Sequence, residues 1–276
     1  MSSNKNTPLG QRNLESMHNY ATPIGRRILE LVRNYAVPIM FIIICAVCIP
    51  LSGFSTSYLL NEIITRMGRN IFLILSLLIP IMSGMGLNFG MTLGAMAGQI
   101  ALIFVTDWQI WGIPGVVLAM ILSVPLSTLL GLMCGKLMNM AKGREMILGY
   151  MMNYFVGGLY QLVVLYFMAS IIPIKHASIR LPRGFRTTVN LTNMRQCLDN
   201  ELAILYNGVK IPVLNFIIIA ALCLFIVWFR RTKLGQDMRA VGQDMDVAQA
   251  AGINVDRTRI ISIIISTVFA GFGQII

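Results

Sequence analysis

The sequence predicts an all-α integral membrane protein: a polytopic helical bundle of about seven spans that includes a broken, Gly-rich helix. The first observation behind this is the spacing of charge. Runs free of Asp, Glu, Lys and Arg extend from Asn34 to Asn61, Asn70 to Thr106, Trp108 to Gly135, Met146 to Ile174, Ile211 to Phe229 and Ile260 to Ile276. Crossing the hydrocarbon core takes about 20 apolar residues, so each run is about span length or longer. The second is continuity. Apolar residues fill these runs instead of alternating along them, which favours helices over the strands of a barrel. The third is "SGMGLNFGMTLGAMAG" from Ser83, inside a run too long for a single helix. Glycine in a helix interior costs about 1 kcal/mol relative to alanine, and Gly84, Gly86 and Gly90 lie close together. A break there divides the run into spans at about Asn70–Met85 and Leu87–Val105, bringing the total to seven.

Residues 1–33 form a polar tail. Its end, "GRRILELVRNY", sets Ile28, Leu29, Leu31 and Val32 among charges, the pattern of a short interfacial helix or of a solvated, frayed tail. The first apolar block comes too late for a usual cleaved secretory signal and is expected to stay in place as the first span. It contains "CAVC", Cys45 to Cys48, which has redox-motif spacing but no βαβ context. Cys134 and Cys223 also sit in or beside spans and Cys197 is alone in a loop, so the five cysteines suggest neither a disulfide framework nor a metal site.

Seven alternating spans leave two sets of flanks. The tail, the loop Lys136–Glu145 and the loop Arg230–Arg259 together hold 14 of the 22 Lys and Arg residues. The positive-inside rule makes this set, and with it the N-terminus, cytoplasmic. The loop 173–210 then faces outside, where it could meet a partner or simply be solvated. The basic excess of the chain reads as topology signal and lipid anchoring, not as nucleic-acid binding.

No predicted span holds Asp, Glu, Lys, Arg or His. Gradient-driven transporters usually keep such groups at mid-membrane, although backbone carbonyls of broken helices can also hold an ion. The chain has no G-x-x-x-x-G-K-[ST] loop for nucleotide phosphates, no nucleophile set beside a base and no metal-ligand cluster, so no cofactor, metal or catalytic residue is expected. The spans do contain Asn88, Gln99, Asn153, Gln161 and Gln274. Each can hydrogen-bond a solute or another helix. Asn88, with Phe89 and Gly90, lies in the break, and these three with Asn153 and Gln161 are the candidate substrate-pathway residues. Gly90 and Gly94 also form a G-x-x-x-G pair suited to close helix packing.

One wet segment has a design of its own, "RAVGQDMDVAQAAGINVDRTR" from Arg239 to Arg259. Asp244 or Asp246 can cap a helix N-terminus, "VAQAA" has high helix propensity, and Gly252 suits the left-handed position past a helix end. The expected helix has two to three turns. So short a helix needs something to dock against. Its small side chains would enter a groove, and Arg239, Arg257 and Arg259 could grip acidic groups there; the alternative is an ordinary surface loop.

Here the sequence resembles the permease subunits of ATP-binding-cassette importers, in the simple-sugar and nucleoside branch. "LGQDMRAVGQDMDVAQAAGI" is similar to that family's cytoplasmic loop at Leu234, Gly235, Arg239, Ala240, Val241, Gly242, Ala248, Ala251, Gly252 and Ile253, with Asp244 where the family usually has Asn. "EMILGYMMNYFV" resembles the start of its fifth span, with Met152, Asn153 and Tyr154 at an L-N-Y motif. "GLNFGMTLGA" is similar to its N-x-G segment near the solute path, but Met91, Thr92 and Leu93 replace the usual residues after it. The resemblance covers about Arg33 to the end and implies a permease domain over 34–276 with a coupling loop at 230–259. Because family members continue with more spans, it also implies C-terminal truncation. It implies a second permease subunit, a cytoplasmic ATP-binding subunit contacted through Arg239, Gly242, Asp244, Ala248, Ala251 and Gly252, and an extracytoplasmic solute-binding protein delivering solute at the outer face of a bacterial plasma membrane. The rivals are a branched-chain amino acid permease of the same superfamily, a non-transporting membrane scaffold, and a gradient-driven transporter or channel.

Overall fold

The computed structural model describes residues 35–86, 88–110, 112–163, 203–206 and 209–276. The polar tail, read as an interfacial helix or a frayed end, and most of the loop 173–210 lie outside these residues. The chain divides into two compact units, Met1–Leu59 and Leu60–Ile276. In the first, α1 runs from Ala36 to Leu51 with no buried residue. Its outward apolar side chains suit a lipid surrounding.

Along the chain follow α2 (Thr56–Met82), α3 (Met91–Asp107), α4 (Gly112–Met140), α5 (Glu145–Leu162), α6 (Val213–Phe229), α7 (Lys233–Gln243), α8 (Met245–Ala250) and α9 (Val255–Ile275). Every charge-free run contains a helix. Among the described residues α2, α4 and α9 are long and apolar enough to cross a membrane, and a fourth span results if α6 and α7, bent by 76°, count as one. The helices α1 and α3 are shorter, at 16 and 17 residues. The expected break is present: α2 stops at Met82 and α3 starts at Met91. Gly84, at φ +74°, takes a backbone conformation that other residues rarely adopt.

The charge gaps placed some helix starts too late. The helix α2 begins at Thr56, not near Asn70, and carries Glu62 and Arg66 one turn apart with Nε to Oε1 at 2.7 Å. Charges on exposed turns pair with one another or with water and do not end a helix. Likewise α9 begins at Val255, where the Asn254 side chain accepts from the Arg257 N–H at 3.0 Å.

The loop 173–210 runs into one element that the all-helical expectation lacked. Ala203–Tyr206 and Val209–Pro212 pair as antiparallel strands β1 and β2, Ala203 opposite Pro212 and Tyr206 opposite Val209. The sequence between them is Asn207-Gly208, a pair suited to two-residue hairpin turns.

Within the second unit α9 packs against α3 and α4 through small residues. A Cβ on Gly94 would overlap the Thr267 carbonyl, one on Gly98 would come 2.5 Å from Gly271 O, and one on Gly131 would overlap the Thr267 hydroxyl. Thr267 Oγ1 lies 2.9 Å from Ile264 O and 3.2 Å from Ser127 O, so its hydroxyl is satisfied between α9 and α4. Gly94 and Gly98 therefore serve close helix packing, one of the two readings of the Gly-rich string. On the far side of α9, Phe72 of α2 packs with Ile219, Leu222 and Ile226 of α6.

Candidate functional site

The loop after α6 holds two helices where one was expected. In α7, the Thr232 side chain accepts from Gly235 N–H at 3.3 Å and caps the start. Leu234, Met238 and Val241 recur on one face. Met238 is fully buried, clustered with Ile79 of α2 and Phe229 of α6, while Val241 packs with Ala248 and Val255. The apolar stripe holds α7 on the end of the bundle, and Arg239 projects from its exposed side.

Asp244 is extended, at φ −156° and ψ 119°, and separates α7 from α8. Its Oδ1 accepts from Asp246 N–H at 2.9 Å and Val247 N–H at 3.1 Å. The cap is thus Asp244 and not Asp246. Gly252, at φ +85°, closes the far end, where Ile253 N–H donates to Ala248 O at 3.0 Å. The helix is six residues long, shorter than the expected two to three turns.

This geometry sorts the expected contact residues. Ala251, Gly252, Asp244 and Arg239 are exposed, as are Val247 and Ala250. Ala248 is not: it is buried between Val241 and Val255 and cannot enter a groove on another protein. Gly242 faces the break, because a Cβ there would collide with Met82 O and sit 3.1 Å from Gly84 N. The expected grip by three arginines is corrected at Arg259. Arg257 is exposed, but Arg259 is completely buried within its own chain. Its Nη2 donates to Glu145 Oε1 at the start of α5, and its Nη1 lies 3.6 Å from Met245 Sδ at the start of α8.

Glu145 stands just before the apolar part of α5. Burial pushes its carboxyl up, but the backbone N–H groups of Glu145 and Gly143 and the Arg259 guanidinium outweigh that and hold it below its ordinary value. A second, exposed pair lies alongside, Lys142 Nζ to Asp256 Oδ1 at 2.7 Å. Asn139 Nδ2 reaches Asp256 O at 3.3 Å. Sequence reasoning missed Glu145, Lys142 and Asp256 as site residues, since nothing in their local spacing pairs them with the loop.

The same end of the bundle holds the break. Ser83 Oγ and Ser262 Oγ are 2.9 Å apart, joining the break to α9. Asn88 is buried, its Oδ1 accepting from Gly90 N–H at 2.9 Å while its Nδ2 has no partner among the described residues. The Phe89 ring lies 4.4 Å from the Tyr150 ring of α5, centroid to centroid. A Cβ on Gly149 would approach Phe89 N to 3.4 Å. Asn153, half-buried, is one turn beyond Gly149 on α5. Gln161 is exposed two turns further, about 12 Å along the helix at 1.5 Å per residue. The structure therefore sets Phe89 and Gly90, next to Asn88, against α5 and α4, with Asn153 near and Gln161 apart. Among the described residues no group of three or more His, Cys, Asp or Glu could hold a metal ion.

Residues 59–276 match the family model described as the permease component of branched-chain amino acid transport systems. The chain is 25% identical over 235 residues to a nucleoside ABC transporter permease protein of Lactococcus lactis, a match covering 82% of this chain and 60% of that protein. It is 34% identical over 71 residues to a xylose transport system permease protein of Haemophilus influenzae, covering 26% of this chain and 18% of that protein. The chain thus spans less than two thirds of the length of either relative. No solved structure matches it. With most of its length matched, the chain is a multi-pass membrane protein that belongs to this permease family.

Proposed function

We propose that this chain is a pathway-forming permease subunit of an ATP-binding-cassette importer in a bacterial plasma membrane. Its N-terminus is cytoplasmic, its solute is a simple sugar or nucleoside, and ATP is hydrolysed by a separate cytoplasmic subunit. The observation that carries this is α8: a capped six-residue helix, anchored through Ala248, with Val247, Ala250 and Ala251 exposed on a polar surface. An exposed valine among small side chains, 65% accessible, gives a shallow knob for a groove on another protein. Arg239 and Arg257 add positive charge nearby. A second permease subunit completes the pathway, and an extracytoplasmic binding protein delivers solute. The similarity to a nucleoside permease and a xylose permease supports the solute class. The description of the family model keeps branched-chain amino acids as the second reading.

The test is co-expression with candidate ATP-binding subunits, followed by co-purification and uptake of labelled nucleosides, xylose and leucine. Val247→Asp and Ala251→Trp should abolish co-purification while membrane insertion stays normal. Retained co-purification and uptake in both variants would refute docking through α8. Leucine uptake without nucleoside or xylose uptake would select the second reading.

A further inference from the structure

Arg259 is a fully buried cation at the meeting point of three elements. It belongs to α9, its Nη2 binds Glu145 at the first residue of α5, and its Nη1 faces Met245 Sδ at the first residue of α8. A buried charge carries a large desolvation cost and is poor evidence for stability by itself, because apolar residues of the same volume often serve as well. What a charge pair adds is direction and register. Glu145 can be satisfied by Arg259 only while α5 and α9 keep their present alignment. The neighbouring Lys142–Asp256 pair ties the same two regions together on the exposed side.

The position of the pair gives that alignment a consequence. Beyond Glu145, one turn along α5, Gly149 and Tyr150 pack on Phe89 of the break. On α9, Ser262 Oγ donates to Arg259 O at 2.7 Å and lies 2.9 Å from Ser83 Oγ, also in the break. The guanidinium thus stands between the exposed helix α8 and two of the helices that touch the break, α5 and α9.

We propose that Arg259 and Glu145 are positioning residues that lock α8, the start of α5 and the start of α9 into one rigid body, so that displacement of α8 moves α5 and the break together. The coupling role rests on the proposed docking of an ATP-binding subunit at α8; the rigidity does not.

The test uses the full chain in lipid nanodiscs with its five native cysteines replaced. Spin labels are placed at the exposed Val247 and Ile147, and the distance distribution is measured by electron–electron double resonance. The parent should give a single narrow peak. Glu145→Gln, which keeps the shape, and Arg259→Met, which keeps an apolar stem, should each lose that narrow peak. The double exchange Glu145→Arg with Arg259→Glu should restore it. Gel filtration and thermal melting identify any variant that has lost its fold, and the milder Glu145→Gln then carries the comparison. A narrow peak in both single variants overturns the proposal. So does a folded double exchange that stays broad while the singles are broad. The docking reading fails separately: Val247→Asp in the native-cysteine chain, still co-purifying with an ATP-binding subunit, refutes docking whatever the distances are. Where docking holds, Glu145→Gln should retain co-purification but lose uptake, a split that a contact residue would not give.

Discussion

Gly242 of α7 and Gly84 of the break approach each other backbone to backbone. A Cβ on Gly84 would lie 3.0 Å from Gly242 Cα, and a Cβ on Gly242 would collide with Met82 O. The loop and the broken segment meet with no side chain between them. Gly242→Ala must push α7 off the end of α2, and overpacking of this kind costs about 1–3 kcal/mol. Gly84→Ala adds strain from its positive φ. Both should lower the melting temperature in detergent, and α7 amides should exchange faster with solvent. Unchanged melting in Gly242→Ala would show that the contact is loose.

The buried ion pair predicts a pH dependence of stability. The Glu145 carboxyl is held below its ordinary value of 4.5. A carboxylate with a depressed folded pKa contributes stability that is fully present above the unfolded value and lost as pH falls through the folded value. The parent should therefore lose more stability than Glu145→Gln below about pH 4.5. Melting curves between pH 7 and pH 3 give the comparison, and parallel curves would contradict it.

The cap at Asp244 predicts a local effect. Removing an N-cap side chain costs about 0.5–2 kcal/mol, whereas Asn substitutes well for Asp. Asp244→Ala should speed amide exchange at Asp246 and Val247, while Asp244→Asn should leave it near the parent rate. Equal protection in all three would mean that packing of Ala248 alone holds α8.

Two glycines predict opposite signs. Gly94 faces the Thr267 carbonyl, so Gly94→Ala should prevent α3 and α9 from closing and cost at least 1–3 kcal/mol, roughly. Gly158 in α5 has nothing among the described residues within 4 Å of its would-be Cβ. Gly158→Ala should stabilise by up to about 1 kcal/mol through helix propensity. Thermal melting of the two variants against the parent decides it.

Six apolar runs, a break within the Gly-rich one, a capping aspartate at 244 or 246 and the closing Gly252 could be read from the residues, because each rests on local physics. Hydrocarbon length, glycine entropy and side-chain-to-backbone hydrogen bonds act within a few positions of the chain. Asn207-Gly208 was equally legible as a hairpin signal, but a helical expectation for the whole chain passed over it. Helix starts were misplaced because an exposed charge can ride on a helical turn, as Glu62 and Arg66 do.

The sequence by itself determined which segments are apolar helices, that the Gly-rich run breaks, and which wet segment holds a capped helix. Only the tertiary structure decided the facing of each residue. It turned Ala248 inward, set Gly242 on Gly84, and buried Arg259 against Glu145, 114 positions away in the chain. Contacts at that separation depend on how α2, α5, α7 and α9 cross. Helix crossing is set by the shapes of small residues packing across the bundle, which no local pattern encodes.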